Sequence, residues 1–542
     1  MSIPAQALQI NSNDNVAVAL FDISNNTSIH LGSEKIIAQE EIPIKHKLAL
    51  IDLDKGMSIY MYGVLVGKAT EYIPKGGLLT TENVIHQTEK VKEKNRDSPW
   101  KAPDVSRWKD RTFMGYHRSD GQVGTDNIWL FFPLVFCENR NIQTLKTIFE
   151  KEFDPPKKDP NQQLLSNLIN GKEDNPKKSI PENEPKKHPL NNIKVRFITH
   201  QGGCGGTRQD ADSLARLLAG YVNNPNVAGA TVLSLGCQHL EVKLFETALK
   251  EINPSFDKPI LMYDQQKLGT TENFLSTIIT DSFKAIKKAN SIERKDAPLD
   301  KLTIGLECGG SDGFSGITAN PTLGRVSDLL AALGGKTILS EFPELCGVEQ
   351  EIANRCETKI LANKFLSLMN QYESTAIRAG SGFDMNPSPG NIKDGLITDA
   401  IKSAGAAKKS GNSPIRDILD YTEYVKEKGV SLLCTPGNDV ESTTAMAGSG
   451  ANVILFTTGL GTPTGNPITP VIKIATNTSL AEKMPDIIDF NCGTMITENH
   501  DLETLGDLLL EQIIQTASGT KQTKTSILKQ QDFIPWKRGV SL

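Results

Sequence analysis

The chain has 542 residues, a formal net charge of −5 and a pI near 6.0. This charge argues against a protein held on nucleic acid by phosphate contacts, which would need a basic face. The composition, with 38% hydrophobic and 23% charged residues, is ordinary for a globular protein, and the length suggests about three domains.

The sequence predicts neither a secretory signal nor a membrane span. Residues 1–15 lack a basic region followed by an apolar one. The longest strongly apolar run, from Ile128 to Phe136, is too short to cross a bilayer. The eight cysteines are spread along the chain without the spacing of a secreted disulfide framework, so we expect free thiols and a cytoplasmic location.

Residues 1–90 predict a small all-β domain. Segments such as "NVAVALFDI" and "SIYMYGVLVGKAT" are rich in β-branched and aromatic residues, and glycines separate them. Residues 91–110 are charged with scattered prolines, which is typical of a linker. A second polar segment, near 150–190, is rich in proline and lysine and predicts a mobile surface insertion.

From residue 111 onward the chain alternates apolar runs with glycine-rich polar turns and helix-like segments. Continuous runs such as "IWLFFPLVF", "LTIGLE" and "NVILFTTG" are typical of strands buried on both faces of a parallel sheet. We therefore predict two α/β domains, at 111–295 and 296–542, with mainly parallel sheets. Ligands of such sheets bind at the carboxyl ends of the strands, where the polar turns recur.

Several of these turns carry a side chain that could bind a metal or accept a proton. His200 and Cys204 lie in "HQGGCGG", which lacks the spacing of a Walker or dinucleotide-binding loop, so no nucleotide cofactor is expected. Cys137, Cys237 and Cys308 also follow predicted strands. If these ends converge, the four thiolates could bind iron or an iron–sulfur cluster. The favoured alternative is that these cysteines are small buried apolar residues.

The C-terminal half concentrates carboxylates, amides and lysines in similar turns. The segment "LECGGSDGFSGITANPTLG" combines acidic side chains with a glycine-rich backbone, which suits a hard cation and an anionic substrate, although a plain helix entry is an equal alternative. The rigid turn "NPSPGN" offers hydrogen bonds to a polyol. Lys473 lies within an apolar run, where an unpaired ammonium is costly, so we expect it to be functional or ion-paired.

In this order, the motifs resemble those of the altronate and galactarate dehydratase family. The resemblance rests on "DNVAVAL" (14–20), "YGVLVG" (62–67), "GYHRSDGQVGTDN" (115–127), "LECGGSDGFSGITANPTLGR" (306–325), "NPSPGN" (386–391) and "PVIKIATNT" (470–478). It implies a SAF-like β-clip domain, a middle Rossmann-like α/β domain used for dimerisation, and a Rossmann-variant C-terminal domain with the metal and the active site. The chain departs from the family pattern at Asn11, Asp126 and Leu460.

The resemblance implies dehydration of D-altronate to 2-keto-3-deoxy-D-gluconate in hexuronate catabolism, by a homodimer that requires Fe²⁺ or Mn²⁺. This chemistry needs a base for the α-proton and a cation that stabilises the enediolate. The expected metal ligands are Asp312, Glu341 and Asp439. The candidate bases are Lys402, Lys473 and His200. The expected substrate contacts are Asn320, Arg325, Ser388, Asn391, Lys409 and Ser413.

Two other functions fit the same pattern. One is a dehydratase of the family that acts on galactarate or another hydroxy-acid. The other is a non-catalytic protein that binds sugar acids. The density of acids, lysines and histidine at the strand ends favours catalysis, because binding alone does not require acid–base groups.

Overall fold

The computed structural model describes residues 5–32, 34–89, 91, 93–153, 160–171, 190–383 and 386–542. Short antiparallel strands come first, and two α/β units with parallel sheets follow, which confirms these parts of the predicted fold. Within the described ranges, no helix is long and apolar enough to cross a membrane.

The N-terminal strands pair only locally, as turns every few residues require. Their sheets have the orders β1-β2-β5-β8, β3-β4 and β6-β7-β9, where the strands are β1 (Ala7–Leu8), β2 (Val16–Ala19), β3 (Ser28–Leu31), β4 (Glu34–Ile37), β5 (Lys47–Ala49), β6 (Ser58–Met61), β7 (Val64–Ala69), β8 (Leu78–Leu79) and β9 (Val84–Ile85). Buried residues of these strands, such as Val18 and Met61, share one apolar core with Leu306 of the C-terminal unit. The β domain is therefore docked on the C-terminal unit.

In the segment predicted as a linker, 91–110, described residues contact the C-terminal unit. Lys94 Nζ donates a hydrogen bond to the carbonyl oxygen of Asn354 at 2.8 Å. Arg107 forms a 2.6 Å ion pair with Asp507, and Trp108 is buried beside it. These contacts hold the segment against the C-terminal unit.

The middle unit contains two sheets. The parallel sheet has the order β13-β12-β14-β15, and an antiparallel sheet has the order β11-β10-β16. The strands are β10 (Thr112–His117), β11 (Val123–Gly124), β12 (Ile128–Pro133), β13 (Lys194–Phe197), β14 (Val227–Ser234), β15 (Ile260–Asp264) and β16 (Lys295–Pro298). The helices are α1 (Asn139–Phe153), α2 (Pro160–Ile169), α3 (Arg208–Asn223), α4 (Val242–Ile252), α5 (Gln265–Leu268) and α6 (Thr271–Ala289).

The predicted insertion near 150–190 is only partly covered. Residues 154–159 and 172–189 lie outside the described residues. Between them, α2 forms where the sequence predicts a polar loop. Leu165 and Leu168 of this helix are exposed, so the described residues leave its apolar side uncovered.

The C-terminal unit is built on a parallel sheet with the order β19-β20-β18-β17-β21-β22-β23. Its strands are β17 (Thr303–Cys308), β18 (Lys336–Leu339), β19 (Ile415–Leu419), β20 (Gly429–Leu433), β21 (Val453–Thr458), β22 (Val471–Ala475) and β23 (Phe490–Asn491). Its helices are α7 (Ala319–Leu333), α8 (Glu349–Arg355), α9 (Lys359–Arg378), α10 (Pro389–Lys393), α11 (Asp399–Ala407), α12 (Asp439–Gly448), α13 (Thr478–Lys483), α14 (Thr494–Thr497), α15 (Leu502–Ala517) and α16 (Lys524–Ile527).

The strand order of this sheet reverses between β17 and β21. Chain connections leave these two strands in opposite directions, and in open α/β sheets the resulting crevice at the carboxyl ends is the usual ligand site. Every residue of β17 and β21 is buried, which explains their continuous apolar runs. The fold thus brings the turns that follow β17, β18 and β20 to one edge.

Candidate active site

Three carboxylates meet at this edge of the sheet. Glu307 is near the end of β17, Glu341 follows β18, and Asp439 begins α12. One oxygen of each side chain lies within 4.8 Å of the others. Glu307 and Glu341 are fully buried, and Oε1 of each has no hydrogen-bond partner among the described residues. Buried carboxylate oxygens without donors are costly unless a cation, or a proton shared between Glu307 and Glu341, compensates them.

The environment favours the protonated forms of these carboxyl groups. Burial raises the pKa of Glu307 to about 7, although Lys409 opposes this shift. Burial and the nearby Glu307 and Glu344 carboxylates raise the pKa of Glu341 well above its usual value. Burial also raises the pKa of Asp439. The three groups are therefore poised to release protons when a cation binds.

The backbone at Glu341 adopts a left-handed conformation. Its φ is 65° and its N–H donates to Thr435 Oγ1 at 2.8 Å. A bulky residue with positive φ is uncommon, and such conformations persist where the surroundings over-determine them, often at functional sites. This conformation turns the chain from β18 into the short helix Phe342–Leu345, which carries Glu344.

Two lysines lie beside the carboxylates. Lys409 Nζ lies 2.9 Å from Cys308 Sγ and 3.3 Å from Glu341 Oε2 and is fully buried. Lys402 Nζ lies 2.7 Å from Glu344 Oε1 and donates to Asn386 Oδ1 at 2.6 Å. Burial works against both charges, but the neighbouring acids outweigh it and raise the pKa of both lysines. Both ammonium groups are therefore charged at neutral pH.

Glu344 is the acid shared by these lysines. Burial alone would raise its pKa, but Lys402 and Lys409 outweigh that effect and lower the pKa to about 2. Cys308 Sγ lies 3.2 Å from Glu344 Oε2, and burial raises the pKa of this thiol to about 12. Cys308 is thus a neutral thiol that donates to Glu344 and accepts from Lys409.

Lys473 lies in β22, two strands away from Glu307 in the sheet. It is the β22 register partner of Phe456, which in turn is the β21 partner of Glu307. Its Nζ lies 3.2 Å from the centre of the Phe456 ring and donates to Thr464 Oγ1 at 3.2 Å. Burial lowers the pKa of Lys473 to about 7, although Asp439 opposes this shift. This lysine can therefore gain or lose a proton near neutral pH.

Comparisons with known proteins match nearly the whole length of this chain. Family models match the altronate/galactarate dehydratase SAF domain at 5–87, the second domain of D-galactarate dehydratase/altronate hydrolase at 115–290 and the D-galactarate/altronate dehydratase C-terminal domain at 299–541. The altronate dehydratase of Bacillus subtilis (strain 168) is 33% identical over 94% of this chain and 95% of its own. The altronate dehydratase of Escherichia coli (strain K12) is 32% identical over 99% and 100%, respectively.

The chain belongs to the altronate and galactarate dehydratase family. It is therefore an enzyme of the hydro-lyase class, of the altronate dehydratase type. A further relative is the galactarate dehydratase (L-threo-forming) of Escherichia coli (strain K12), 30% identical over 95% of this chain and 93% of its own.

This dehydratase brings some of the sequence-predicted residues together at the crevice. Glu341, Asp439, Lys402 and Lys409 are all within the cluster described above, and Lys473 adjoins it. The sequence places Glu307 in a turn suited to a cation and Asn386 in a turn suited to a polyol, but the expected ligands and contacts include neither, and Glu344 and Lys45 have no predicted role. Glu307 is flanked by Leu306 and Cys308 inside an apolar run, and a buried acid in such a run is the signal that could have identified it.

Asp312 is not part of the carboxylate cluster. Its Oδ2 lies 2.9 Å from Lys45 Nζ of the β domain and accepts a 3.1 Å hydrogen bond from Asn477. Its Oδ1 accepts from Ser315 Oγ at 3.1 Å. The Gly309-Gly310 turn separates Asp312 from the end of β17. The structure therefore places Asp312 at the junction of two domains, where its oxygens are occupied.

His200 lies in the middle unit, away from this cluster. Its Nε2 donates to the carbonyl oxygen of Pro133 at 2.7 Å, and its Nδ1 accepts from the N–H of Gly202 at 3.1 Å. Burial lowers its pKa to about 4. Both ring nitrogens are used by the backbone, which is the pattern of a structural histidine.

Most of the predicted substrate contacts are engaged within the protein. Asn320 bridges Gly405 and Thr457, and Arg325 packs against Gly506 of α15. Ser388 and Asn391 cap each other at the start of α10, where Asn391 also donates to the Ser311 carbonyl oxygen at 2.7 Å. Ser413 lies beside Asp328 and Arg355, and its Oγ has no partner among the described residues.

The structure does not bring the four predicted cysteines together. Cys308 lies between Lys409 and Glu344, whereas Cys137, Cys204 and Cys237 follow β12, β13 and β14 of the other parallel sheet. The expectation that all four are buried is wrong, because Cys137 and Cys237 are exposed and Cys204 is half-buried. All three lie beyond the strand ends, Cys137 in the short helix Phe136–Glu138 and the other two in loops, where burial by the sheet ends.

Proposed function

We propose that this dehydratase converts D-altronate to 2-keto-3-deoxy-D-gluconate and water, with Fe²⁺ or Mn²⁺ held by Glu307, Glu341 and Asp439. The observation that carries the proposal is the pair of buried, unpartnered Oε1 atoms of Glu307 and Glu341 beside Asp439. Oxygen ligands suit hard divalent cations. Glu307 replaces Asp312 in the ligand set, because Lys45, Asn477 and Ser315 occupy the oxygens of Asp312.

The second acidic group is a poorer cation site. Cys308, Glu341 and Glu344 also approach within 4.8 Å of one another. The ammonium of Lys409 already lies 2.9 Å from Cys308 Sγ and 3.3 Å from Glu341 Oε2. This lysine supplies the positive charge that a metal would otherwise provide there.

Lys473 and Lys402 have the properties of an acid–base pair. A divalent cation at the three carboxylates would polarise the carboxylate and hydroxyl of a bound hydroxy-acid and stabilise the enediolate. Lys473, whose pKa is lowered to about 7, is suited to accept the α-proton. Lys402, whose pKa is raised, is suited to donate a proton to the departing β-hydroxyl. Pairs of groups with pKa values pushed apart are typical of acid–base sites.

We make less detailed proposals for the C-terminal sheet, the assembly and location of the enzyme, and the β domain. Without β19, the order β20-β18-β17-β21-β22-β23 has the 3-2-1-4-5-6 pattern of a Rossmann sheet, which supports a Rossmann-variant C-terminal domain. We also propose a cytoplasmic homodimer that uses the middle unit and no nucleotide cofactor. The docked β domain, with Lys45 on Asp312, would cover or position the active site.

The test is an altronate assay after chelation and anaerobic re-addition of Fe²⁺, Mn²⁺ or Mg²⁺. We expect chelation to abolish turnover and Fe²⁺ or Mn²⁺ to restore it. Glu307→Gln should lower metal binding and kcat/KM by at least about 100-fold, since even groups behind the ligands matter 10- to 100-fold. The matched control is Glu482→Gln, at an exposed glutamate of α13, which should behave as wild type.

Two outcomes would change the proposal. Undiminished turnover after complete metal removal would eliminate the metal site. Faster turnover of galactarate than of altronate would favour the alternative activity that the 30% identical galactarate dehydratase suggests.

A further inference from the structure

Three neighbouring strands of the middle sheet are each followed closely by a cysteine, Cys137 in the short helix Phe136–Glu138 and Cys204 and Cys237 in loops. Cys137 follows β12, Cys204 follows β13 and Cys237 follows β14. The sheet order places β12 between the other two, and all three strands are parallel. Because adjacent strands lie about 4.8 Å apart, the three strand ends span only about 10 Å.

The three segments also contact one another directly. The N–H of Phe136 donates to the carbonyl oxygen of Gly202 at 3.1 Å, and the N–H of Leu240 donates to that of Gly203 at 3.0 Å. Gly203 has a φ of 93°, and a Cβ there would lie 2.0 Å from the carbonyl oxygen of Leu134. Only glycine permits this close approach. The segment that carries Cys204 therefore packs against the segment that carries Cys137.

These three thiols are less buried than four of the other five cysteines, and the fifth, Cys346, is half-buried like Cys204. Cys308, Cys356, Cys434 and Cys492 are buried, as free cysteines usually are. Cys137 and Cys237 are exposed, and Cys204 borders a cavity of about 700 Å³ that His200 and Thr207 also line. Within the described part of the chain, none of the three sulfurs has a hydrogen-bond partner. Packing therefore does not account for cysteine at these positions.

We propose that Cys137, Cys204 and Cys237 bind a [4Fe–4S] cluster at the carboxyl edge of the middle sheet. Thiolates are the ligands that iron–sulfur clusters take in proteins. Among the described residues, the ligand groups within 4.8 Å of one another do not include these three sulfurs, so the three cysteines as placed do not enclose a single ion. Three thiolates leave one iron for a non-cysteine ligand, and the adjacent cavity has room for a small oxygen-bearing molecule.

The test uses the full chain purified anaerobically. We expect roughly four acid-labile sulfide per chain, roughly four iron in addition to any iron at the carboxylate site, broad visible absorption and an electron paramagnetic resonance signal after reduction with dithionite. Cys137→Ser, Cys204→Ser and Cys237→Ser should each lose most of the sulfide and the visible absorption. The control is Cys346→Ser, at a cysteine as exposed as Cys204 but in the C-terminal unit, which should retain both.

Thermal unfolding and far-ultraviolet circular dichroism identify any variant that fails to fold. If one serine variant unfolds, the other two decide the result. Iron without sulfide would overturn the proposal in favour of a single metal ion. Absence of both from protein reconstituted with Fe²⁺ and sulfide would overturn it entirely, as would equal loading of a variant that lacks all three cysteines. Glu307→Gln should leave the sulfide content unchanged, so this test is independent of the carboxylate site.

Discussion

Lys409 and Lys402 form ion pairs with the same carboxylate, that of Glu344, but their burial differs. The side chain of Lys409 is 1% exposed and also contacts Cys308 and Glu341. The side chain of Lys402 is 11% exposed and contacts Asn386 as well. Removing one partner of a fully buried ion pair leaves an uncompensated charge, whereas a group near the crevice can be reached by water.

Substituting the two lysines should therefore separate stability from catalysis. We expect Lys409→Met to lower the free energy of unfolding by about 3–5 kcal/mol. Lys402→Met should lower it by about 1–3 kcal/mol, yet reduce kcat at least about 100-fold because the general acid is lost. Urea unfolding and the altronate assay measure the two effects.

The matched control for these variants is Lys393→Met, at an exposed lysine of α10, which should change neither quantity. If Lys402→Met kept the wild-type kcat, Lys402 would no longer be a candidate acid. If Lys409→Met were as stable as wild type, its buried ion pairs would not hold the cluster together.

The loop between β4 and β5 is one of the elements that join the β domain to the active-site unit. Lys45 in this loop has a φ of 72° and bonds to Asp312 and Asp394, and Lys47 Nζ donates to the carbonyl oxygen of Gly395 at 2.6 Å. A Cβ on Gly313 would lie 2.5 Å from the carbonyl oxygen of Lys45. The docking thus depends on a close approach between two backbones.

Adding one methyl group at Gly313 should loosen this loop. Overpacking typically costs about 1–3 kcal/mol, so we expect Gly313→Ala to speed amide hydrogen exchange of residues 42–49 by about tenfold. Altronate turnover should also fall in this variant if the β domain positions the active site. Gly390→Ala is the control, because a Cβ there meets only Ser388 Oγ at 3.9 Å. Unchanged exchange at residues 42–49 would show that the contact does not limit docking.

The sequence predicts the strands and helices better than it predicts which side chains contact one another. Apolar runs and the turns after them identify β12, β17 and β21, and strand ends identify Glu341 and Asp439 as acids at one edge. These are local patterns. Asp312 and Lys45 are far apart in the chain, and no local pattern shows that one neutralises the other. Whether an acid binds a metal or a lysine depends on contacts that only the folded chain defines.

At the scale of the whole molecule, apolar cores cross the domain boundaries. One core joins Val18 and Met61 of the β domain to Leu306 of the C-terminal unit. Another joins Leu130 of β12 and Leu218 of α3 to Phe456 of β21. Because the units share these cores, we expect a change that destabilises the middle unit to lower the free energy of unfolding of the whole chain.

His200 provides a test of this coupling through pH. Burial lowers the pKa of His200 to about 4 from 6.5 in the unfolded chain, so the unfolded chain binds the extra proton between these values. Its contribution to stability is complete above about pH 6.5 and is lost as pH falls through about 4. The shift corresponds to about 3 kcal/mol.

His200→Gln removes this titration while an amide N–H can still donate to the carbonyl oxygen of Pro133. We expect the variant to be less stable than wild type at pH 7, because the N–H of Gly202 loses its acceptor. The difference in the free energy of unfolding between wild type and variant should then shrink by about 3 kcal/mol as pH falls to 4. Urea unfolding of the full chain measures it. His30→Gln, at an exposed histidine of the β domain, should follow the wild-type curve. Parallel curves for wild type and His200→Gln would mean that His200 is not held in its neutral form by the fold.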